Sequence, residues 1–506
     1  MFRHRSSALG RARTATHWGL AGLLCLTATS FIATPLVAQA PAPTSQAVVL
    51  KGKAPVSNNV LSVKLPRPKE GTLANGLHIL VLEDRRTPQL SFTMLIPGAG
   101  GFFDPPGALG LASVTAAMMR EGTASRTTVQ IAEQLETMAA SVTVGTGMAS
   151  VDATVSGSSL TEYADKLFDL TADLLLNPTF PDEEFAKYRQ RTLAGLAQQR
   201  SIPGFLAQEL WSKVINGDHP AGRISMSAAD LGKFTRSQMI EFYKARYVPD
   251  HAVIAIAGDI SYADARKLVE SRLGGWKKAG TPKPVAKDPP MAGAARVFLV
   301  DRPNSVQTNF VVGTQGIDRA NPDYDVLQLM NAVVGGGPTG RLFTHLREEK
   351  GYTYGAYSGL AAGRFKGTWN ASTDVRSDVT EPALTDLMDE LRQIRDVTVP
   401  AKELQDKKRS LVASFALSLE SPQQVLNYYV TRWIYKLPVD YWDKYPERVM
   451  NVTAAQVQAA AKKYLDPKNV QIIAVGDGKK VESILRKFGP LEVYDTEGQK
   501  VSRVVP

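Results

Sequence analysis

The chain has 506 residues and is 44% hydrophobic, which predicts two or more domains, each with a core of its own. The net charge of +10 becomes +6 (10 − 4) without the four arginines near the N-terminus. This small excess of positive charge is not concentrated in a run of basic residues, which argues against nucleic acid as a partner. Cys25 is the only cysteine, so a chain that begins after it has no disulfide and depends on its cores.

Residues 1–40 are typical of a secretory signal peptide. The four arginines precede an apolar stretch at 19–37, and Ala38-Gln39-Ala40 follows as a cleavage signal. Polar residues and Pro35 within the stretch disfavour a single membrane anchor. Lipidation of Cys25 is disfavoured because leucines, not small residues, precede it. We therefore expect export to the periplasm, a mature chain that begins near residue 41, and no stable membrane anchor.

The next elements follow in chain order. A flexible lead-in, rich in proline, alanine, serine and valine, is expected at 41–65. Apolar and β-branched runs separated by a charged turn predict strands at 77–82 and 90–96. Apolar periodicity predicts helices at 111–120 and 128–138.

Two longer helices are predicted at 159–176 and 182–199, the second of which opens with Pro181 and acidic residues. A helix that leads to Tyr247 and a buried strand that begins at Val253 complete the first half.

A polar, proline-rich segment at 277–293 separates the two halves of the sequence. This composition predicts an extended linker between a first domain at 66–276 and a second at 294–506.

Three segments of the first half recur in the same order about 218 residues later. A repeat this long predicts two tandem domains of one fold, because solenoid repeats span only about 20–50 residues. Strand pairs followed by blocks of helices predict an α+β fold, in which a mostly antiparallel sheet is covered by helices on one face. The recurring segments are 79–89 and 297–307, 180–191 and 399–409, and 235–259 and 453–477.

Several motifs along the chain resemble the M16 (insulinase or pitrilysin-like) peptidase family. They are the segment 72–81, Asp218-His-Pro-Ala-Gly222, Tyr247-Val-Pro-Asp250, Ile256-Ala-Gly-Asp259 and the glycine-rich block 335–355. The resemblance implies two similar α+β domains per chain, of the M16 or LuxS-like metallohydrolase fold. It also implies that paired domains close as a clamshell and that a zinc-bound water cleaves peptides.

The zinc site that the resemblance implies is vacated here. In active members an inverted His-x-x-Glu-His helix supplies two zinc ligands and the base, and a later glutamate is the third ligand. Hydroxyl and methyl groups, which stand here instead, cannot hold zinc or activate water. We expect no metal or cofactor in this chain and zinc in a partner subunit. The vacated positions are Ser113 and Ala117 for the histidines, Ala116 for the base, and Ala194 or Gly195 for the third ligand.

The remaining histidines offer little for a relocated metal site. His345 with Glu348 or Glu349 is the only helical pairing of histidine and glutamate, and two side chains make a weak site, so a solvated helix face is favoured. The others, expected to have no carboxylate at ligand spacing, are His78 in a strand and His219 and His251 in loops.

The second half keeps Arg347 and Tyr354, which match the family's arginine and tyrosine. Arg347 is expected to end a helix that Gly351 breaks, with Tyr354 in the following strand. The resemblance implies that this pair reaches the zinc site of a facing domain, where a guanidinium and a phenol donate hydrogen bonds to the oxyanion. The alternative is an ion pair of Arg347 with a neighbouring glutamate and a core position for Tyr354.

The loop 335–340 lacks the Lys-Ser/Thr ending of a phosphate-binding loop, so we expect a tight loop beside a substrate channel.

Three functions remain open. The favoured one is a non-catalytic subunit of a heteromeric exported M16 zinc peptidase, which forms half of the peptide chamber, offers an edge strand to an extended peptide and donates Arg347 and Tyr354 to a His-x-x-Glu-His partner. The second is a scaffold or peptide-binding protein without a catalytic role. The third, a free-standing zinc peptidase, needs ligands that the chain lacks.

Overall fold

Two six-stranded sheets, one from each half of the chain, form the centre of the fold. The structure is a computed structural model that describes residues 62–280 and 282–501, all of which belong to one compact unit. The predicted signal peptide and the lead-in up to residue 61 lie outside the described residues.

The first sheet is mostly antiparallel, as predicted. Its strands are β1 (Lys69–Thr72), β2 (His78–Glu83), β3 (Gln89–Pro97), β4 (Ser141–Gly145), β5 (Asp152–Leu160) and β6 (Val253–Gly258). They lie in the order β1-β2-β6-β3-β5-β4, and only β2 and β6 run parallel. β4 is an edge strand that pairs with β5 alone among the described strands.

The second sheet repeats this order with one exchange at its edge. Its strands are β7 (Arg296–Asp301), β8 (Gln307–Gln315), β9 (Ala356–Ala361), β10 (Thr368–Arg376), β11 (Gln471–Gly476) and β12 (Leu491–Tyr494). The order is β12-β7-β11-β8-β10-β9. The place of β1 is taken by the C-terminal strand β12, which runs parallel to β7. β9 is the edge strand equivalent to β4.

Helices follow the same repeat. The repeated Thr-x-x-Gln motifs are capping boxes at Thr235 and Thr453, in which side chain and backbone satisfy each other's donors. The helices of the first half are α1 (Leu111–Met118), α2 (Thr128–Thr137), α3 (Ala164–Leu176), α4 (Asp182–Gln199), α5 (Pro203–Asn216), α6 (Ala228–Lys233), α7 (Arg236–Arg246) and α8 (Tyr262–Leu273). Those of the second are α9 (Tyr324–Val334), α10 (Arg341–Phe343), a π-helix (Thr344–Glu349), α11 (Thr380–Asp396), α12 (Ala401–Ser418), α13 (Pro422–Tyr435), α14 (Tyr445–Asn451), α15 (Ala454–Tyr464) and α16 (Gly478–Leu485).

Helices cover both faces of each sheet, which corrects the expectation of a single covered face. One face carries helices of the same half, as where Phe168 of α3 packs on Phe92 of β3. The other face is covered by a helix from the opposite half. α5 places Trp211 on the second sheet, and α13 places Leu426 on the first. The single-face prediction fails because periodicity shows that a helix has an apolar face but not which sheet receives it.

Two further details differ from the sequence prediction. The predicted helix 159–176 begins only at Ala164, because β5 continues to Leu160 to complete its pairing with Gln89 of β3, and a 3₁₀ turn follows. Val63 and Leu65, placed in the flexible lead-in by composition, pack against the α13 side of the first sheet, where Leu65 is buried.

The segment 277–280 and 282–293 contains neither helix nor strand. Among the helices of residues 62–280 and 282–501, none is long and apolar enough to cross a membrane.

Candidate functional site

Helix α1, which carries three of the vacated positions, is fixed at its N-terminus by a buried carboxylate. Gly110 precedes the helix with φ 97°, a left-handed conformation that favours glycine. The two oxygens of Asp104 accept hydrogen bonds from the backbone N–H groups of Gly110 (2.7 Å) and Ala112 (2.8 Å). Burial raises the pKa of Asp104 to about 6, although these hydrogen bonds oppose the shift.

The vacated histidine positions share one partly exposed side of α1. Ser113 and Ala117 lie on this side, and Ala116 is fully buried below it. The Ser113 hydroxyl donates to the carbonyl of Thr146 at 3.1 Å and lies 3.7 Å from the sulfur of Met148. Ser113 therefore connects α1 to the segment after edge strand β4, and its hydroxyl is already used within the protein.

The third-ligand position lies on α4, next to α1. Ala194 and Gly195 are both exposed there, and a Cβ added to Gly195 would meet no atom within 4 Å. Neither residue supplies an oxygen or nitrogen ligand from its side chain, so this donor set does not fit zinc. Within the part of the chain that the structure describes, no group of three or more His, Cys, Asp or Glu side chains is arranged to hold a metal ion.

The histidines have structural partners. His345 lies 3.0 Å from Glu390 and 3.8 Å from Asp386, both on α11, so it is half-buried against that helix and not on the solvated face that the sequence favoured. The π-helix turns its side chain towards α11 instead.

His78 does have a nearby carboxylate, contrary to expectation. Its Nε2 lies 3.6 Å from Glu70, because the pairing of β1 with β2 brings the two strands together. Its ring also stacks on Trp433 at 5.6 Å. His251 lies in a turn with φ 64°.

Arg347 lies on the π-helix, with its side chain exposed. Its guanidinium stacks over Phe343 at 4.7 Å, and Phe343 in turn packs on Tyr357 of β9 at 5.6 Å. Among the described residues Arg347 has no carboxylate partner. The alternative in which it forms an ion pair with a neighbouring glutamate is therefore wrong.

Tyr354 is 90% exposed, so the alternative of a core position is also wrong. It lies in a loop before β9 rather than in the strand. The Thr353 hydroxyl donates to the carbonyl of Gly355 and accepts from its N–H, both at 3.0 Å, which closes a tight turn. Thr373 of β10 donates to the same carbonyl at 3.0 Å. The side chain of Tyr354 therefore projects from a turn that hydrogen bonds fix, and its hydroxyl has no hydrogen-bond partner in the described chain.

The glycine-rich loop 335–340 supports the same edge strand. Gly335 accepts a hydrogen bond from Ser358 N–H of β9 at 2.8 Å, and its bare Cα lets the two backbones approach. Asn331 accepts from both Ser358 (2.8 Å) and Trp369 (3.0 Å), and buried Lys407 donates to Thr339 at 2.9 Å. The loop therefore fixes the strand that follows Tyr354.

A junction that sequence reasoning missed fastens the loop between β9 and β10 to the first half. Arg364 pairs with Asp152 at 2.7 Å. Burial raises the pKa of Asp152, although Arg364 opposes the shift. Phe365 packs on Phe102 (5.3 Å) and on His219 (5.7 Å). The motif around His219 was a visible signal, but its aromatic partners come from distant parts of the sequence.

Two family models match the chain. The one described as insulinase (peptidase family M16) matches residues 79–225, and the one described as peptidase M16 inactive domain matches residues 233–411. The uncharacterized zinc protease YmxG of Bacillus subtilis is 25% identical over 70% of this chain and 85% of its own length. An uncharacterized zinc protease of Rickettsia bellii is 25% identical over 76% and 92%.

Solved structures show the same architecture. The peptidase M16 inactive domain from Pseudomonas fluorescens superposes with a TM-score of 0.75 at 29% identity, over 81% of this chain and 98% of that one. A protease from Helicobacter pylori reaches the same TM-score at 16% identity, over 81% and 100%, and supports the fold alone.

Proposed function

The chain belongs to the M16 peptidase family, and from that membership we propose that it is the non-catalytic subunit of a heteromeric M16 zinc peptidase. In this proposal a partner chain contributes the His-x-x-Glu-His helix with its zinc, which supplies the activated water. This chain contributes half of the peptide chamber together with Arg347 and Tyr354. The relatives are named zinc proteases, but the side chains at the vacated positions of this chain offer no ligand for zinc, which supports a non-catalytic role.

The observation that carries the proposal is the state of Arg347 and Tyr354. Both side chains are exposed, and both leave their donors free among the described residues. Both side chains are held in position, because the guanidinium of Arg347 stacks on the ring of Phe343 and the hydrogen bonds of Thr353 close the turn that contains Tyr354. Donors held in place before the reaction stabilise developing negative charge without reorganisation.

In the proposed complex, the phenol of Tyr354 and the guanidinium of Arg347 donate hydrogen bonds to the oxygen of the scissile carbonyl as it becomes an oxyanion. The edge strand β9 begins two residues after Tyr354 and has one unpaired side among the described strands. An extended peptide that adds to this edge would lie next to the two donors.

The test is reconstitution with a His-x-x-Glu-His partner of the same family. We expect Tyr354→Phe and Arg347→Ala each to lower kcat of the complex by about 10²- to 10³-fold while assembly and zinc content stay unchanged. Tyr352→Phe is the matched control, because Tyr352 packs partly against the core of the second half. Full activity in both variants would reject the donor role and leave the scaffold function.

We further propose that the complex works in the periplasm after removal of a signal peptide at 1–40. N-terminal sequencing of the native protein should give a start near residue 41. An intact Met1 would reject export by this route.

A further inference from the structure

The second half contains a cavity of about 410 Å³ between α9, α12, α13 and the segment that leads into α14. It lies outside the elements that carry Arg347 and Tyr354. Aromatic rings form much of its wall: Phe415 packs on Tyr445 at 4.7 Å, and Tyr428 on Trp442 at 4.5 Å. Its size falls within the range of small-molecule sites.

The cavity contains one charged side chain, Arg319, from the loop between β8 and α9. Arg319 is only 7% exposed, and its guanidinium stacks on Tyr324 at 3.7 Å. Its Nη1 donates to the hydroxyl of Tyr441 at 3.3 Å. For Nε and Nη2 the described chain provides no acceptor, and no Asp or Glu is among the residues that line the cavity.

The missing counter-charge is unusual for so buried an arginine. Neighbouring Arg448, also stacked on Tyr441, is paired with Asp325 at 2.7 Å. Arg319 has no such partner in the described residues, and residues 1–61, 281 and 502–506 contain no Asp or Glu. Because burying a guanidinium without a carboxylate is costly, a ligand that supplies one would gain a strong, charge-assisted contact.

We propose that this cavity binds a carboxylate carried on an apolar or aromatic group. Nε and Nη2 of Arg319 would hold the carboxylate as a fork, and the rings of Phe415, Tyr428 and Trp442 would enclose the apolar part. A peptide C-terminus with an apolar last residue and a free aromatic acid share this chemistry. The site belongs to this chain alone, so its occupancy does not depend on a partner subunit.

The experiment measures binding to the purified chain by ligand-detected NMR and by thermal shift. The probes are N-acetyl-phenylalanine, its C-terminal amide, and a hexapeptide that ends in phenylalanine with a free or amidated terminus. We expect the two acids to bind and to raise Tm, and amidation to weaken binding at least about tenfold. Tighter binding of the hexapeptide acid than of N-acetyl-phenylalanine identifies a peptide terminus as the source. Equal binding identifies a free acid.

Variants of the cavity complete the test. Arg319→Gln should lose the preference for acid over amide, and Arg319→Lys should keep only part of it because a lysine lacks the fork. Arg296→Gln is the control for net charge, since Arg296 is exposed, paired with Glu492, and not among the residues that line the cavity. If Arg319→Gln does not fold, Ser414→Phe, at an exposed position on the rim, should block both acids. Amides that bind as well as acids, or acids that still bind to the Arg319→Gln or Ser414→Phe variant, would overturn the proposal.

Discussion

Replacement of Trp211 by alanine should destabilise the second half of the protein, although Trp211 belongs to the first half in sequence. Trp211 lies on α5, is 1% exposed and packs with Phe298 and Ile473 of the second sheet. Truncation of a buried tryptophan to alanine typically costs about 3–5 kcal/mol, from lost apolar burial and from the cavity that remains. We expect a loss of that size in the free energy of unfolding.

The location of the loss is the decisive readout. Native-state hydrogen exchange should show the largest loss of protection in β8 and β11 of the second sheet. Phe168→Ala is the matched control: Phe168 is equally buried in the first half, but it packs on Phe92 of the first sheet, so its loss should appear in β3 and β6. If Trp211→Ala exposed β3 and β6 more than β8 and β11, the exchange of helices would not be what stabilises the second sheet.

Three further outcomes are expected. The triple variant Ser113→His, Ala116→Glu, Ala117→His should hold less than one zinc per chain by elemental analysis and cleave no peptide, because α4 still lacks the third ligand; stoichiometric tight zinc would refute this. Because burial raises the pKa of Asp104 to about 6 from 3.8, the folded protein keeps a proton that the unfolded chain has released, so its free energy of unfolding should fall as pH rises from about 4 to 6. Urea titrations should show that Asp104→Asn removes this pH-dependent part of the free energy of unfolding. An unchanged slope of that free energy against pH would contradict the prediction. Gly335→Ala places a Cβ 2.7 Å from Ser358 N, so it should displace β9 and lower Tm by several degrees, roughly as overpacking does; a crystal structure with β9 unmoved would contradict it.

The duplication and the sheet class could be predicted because they depend on local patterns. The Thr-x-x-Gln motifs at 235 and 453 cap helices in both copies, and each precedes a buried strand, β6 or β11, that reaches the middle of its sheet. The replacement of β1 by β12 at the edge of the second sheet could not be predicted in this way. It depends on the path by which the chain crosses from the first half to the second, which no local pattern shows.

The candidate site shows the same limit. Alternation of aromatic and β-branched residues around Tyr354 favours a strand, yet the Thr353 hydroxyl and its neighbours close a turn instead, and the tyrosine becomes exposed. The isolation of Arg319 has no sequence signal either. Charge pattern alone cannot show that Asp325, only six positions away, is already paired with Arg448.

The reciprocal covering of the sheets also determines when each half can be completed during synthesis. The last strand of the first sheet, β6, ends at Gly258, but the helix that covers its outer face, α13, begins only at Pro422. Until that helix has been made, an apolar surface that includes Leu80 and Val253 lacks the cover of α13, although Leu65 of the preceding segment packs against it. During synthesis the first half therefore exposes an apolar surface that chaperones can bind. Its folding can be completed only after most of the polypeptide has been made.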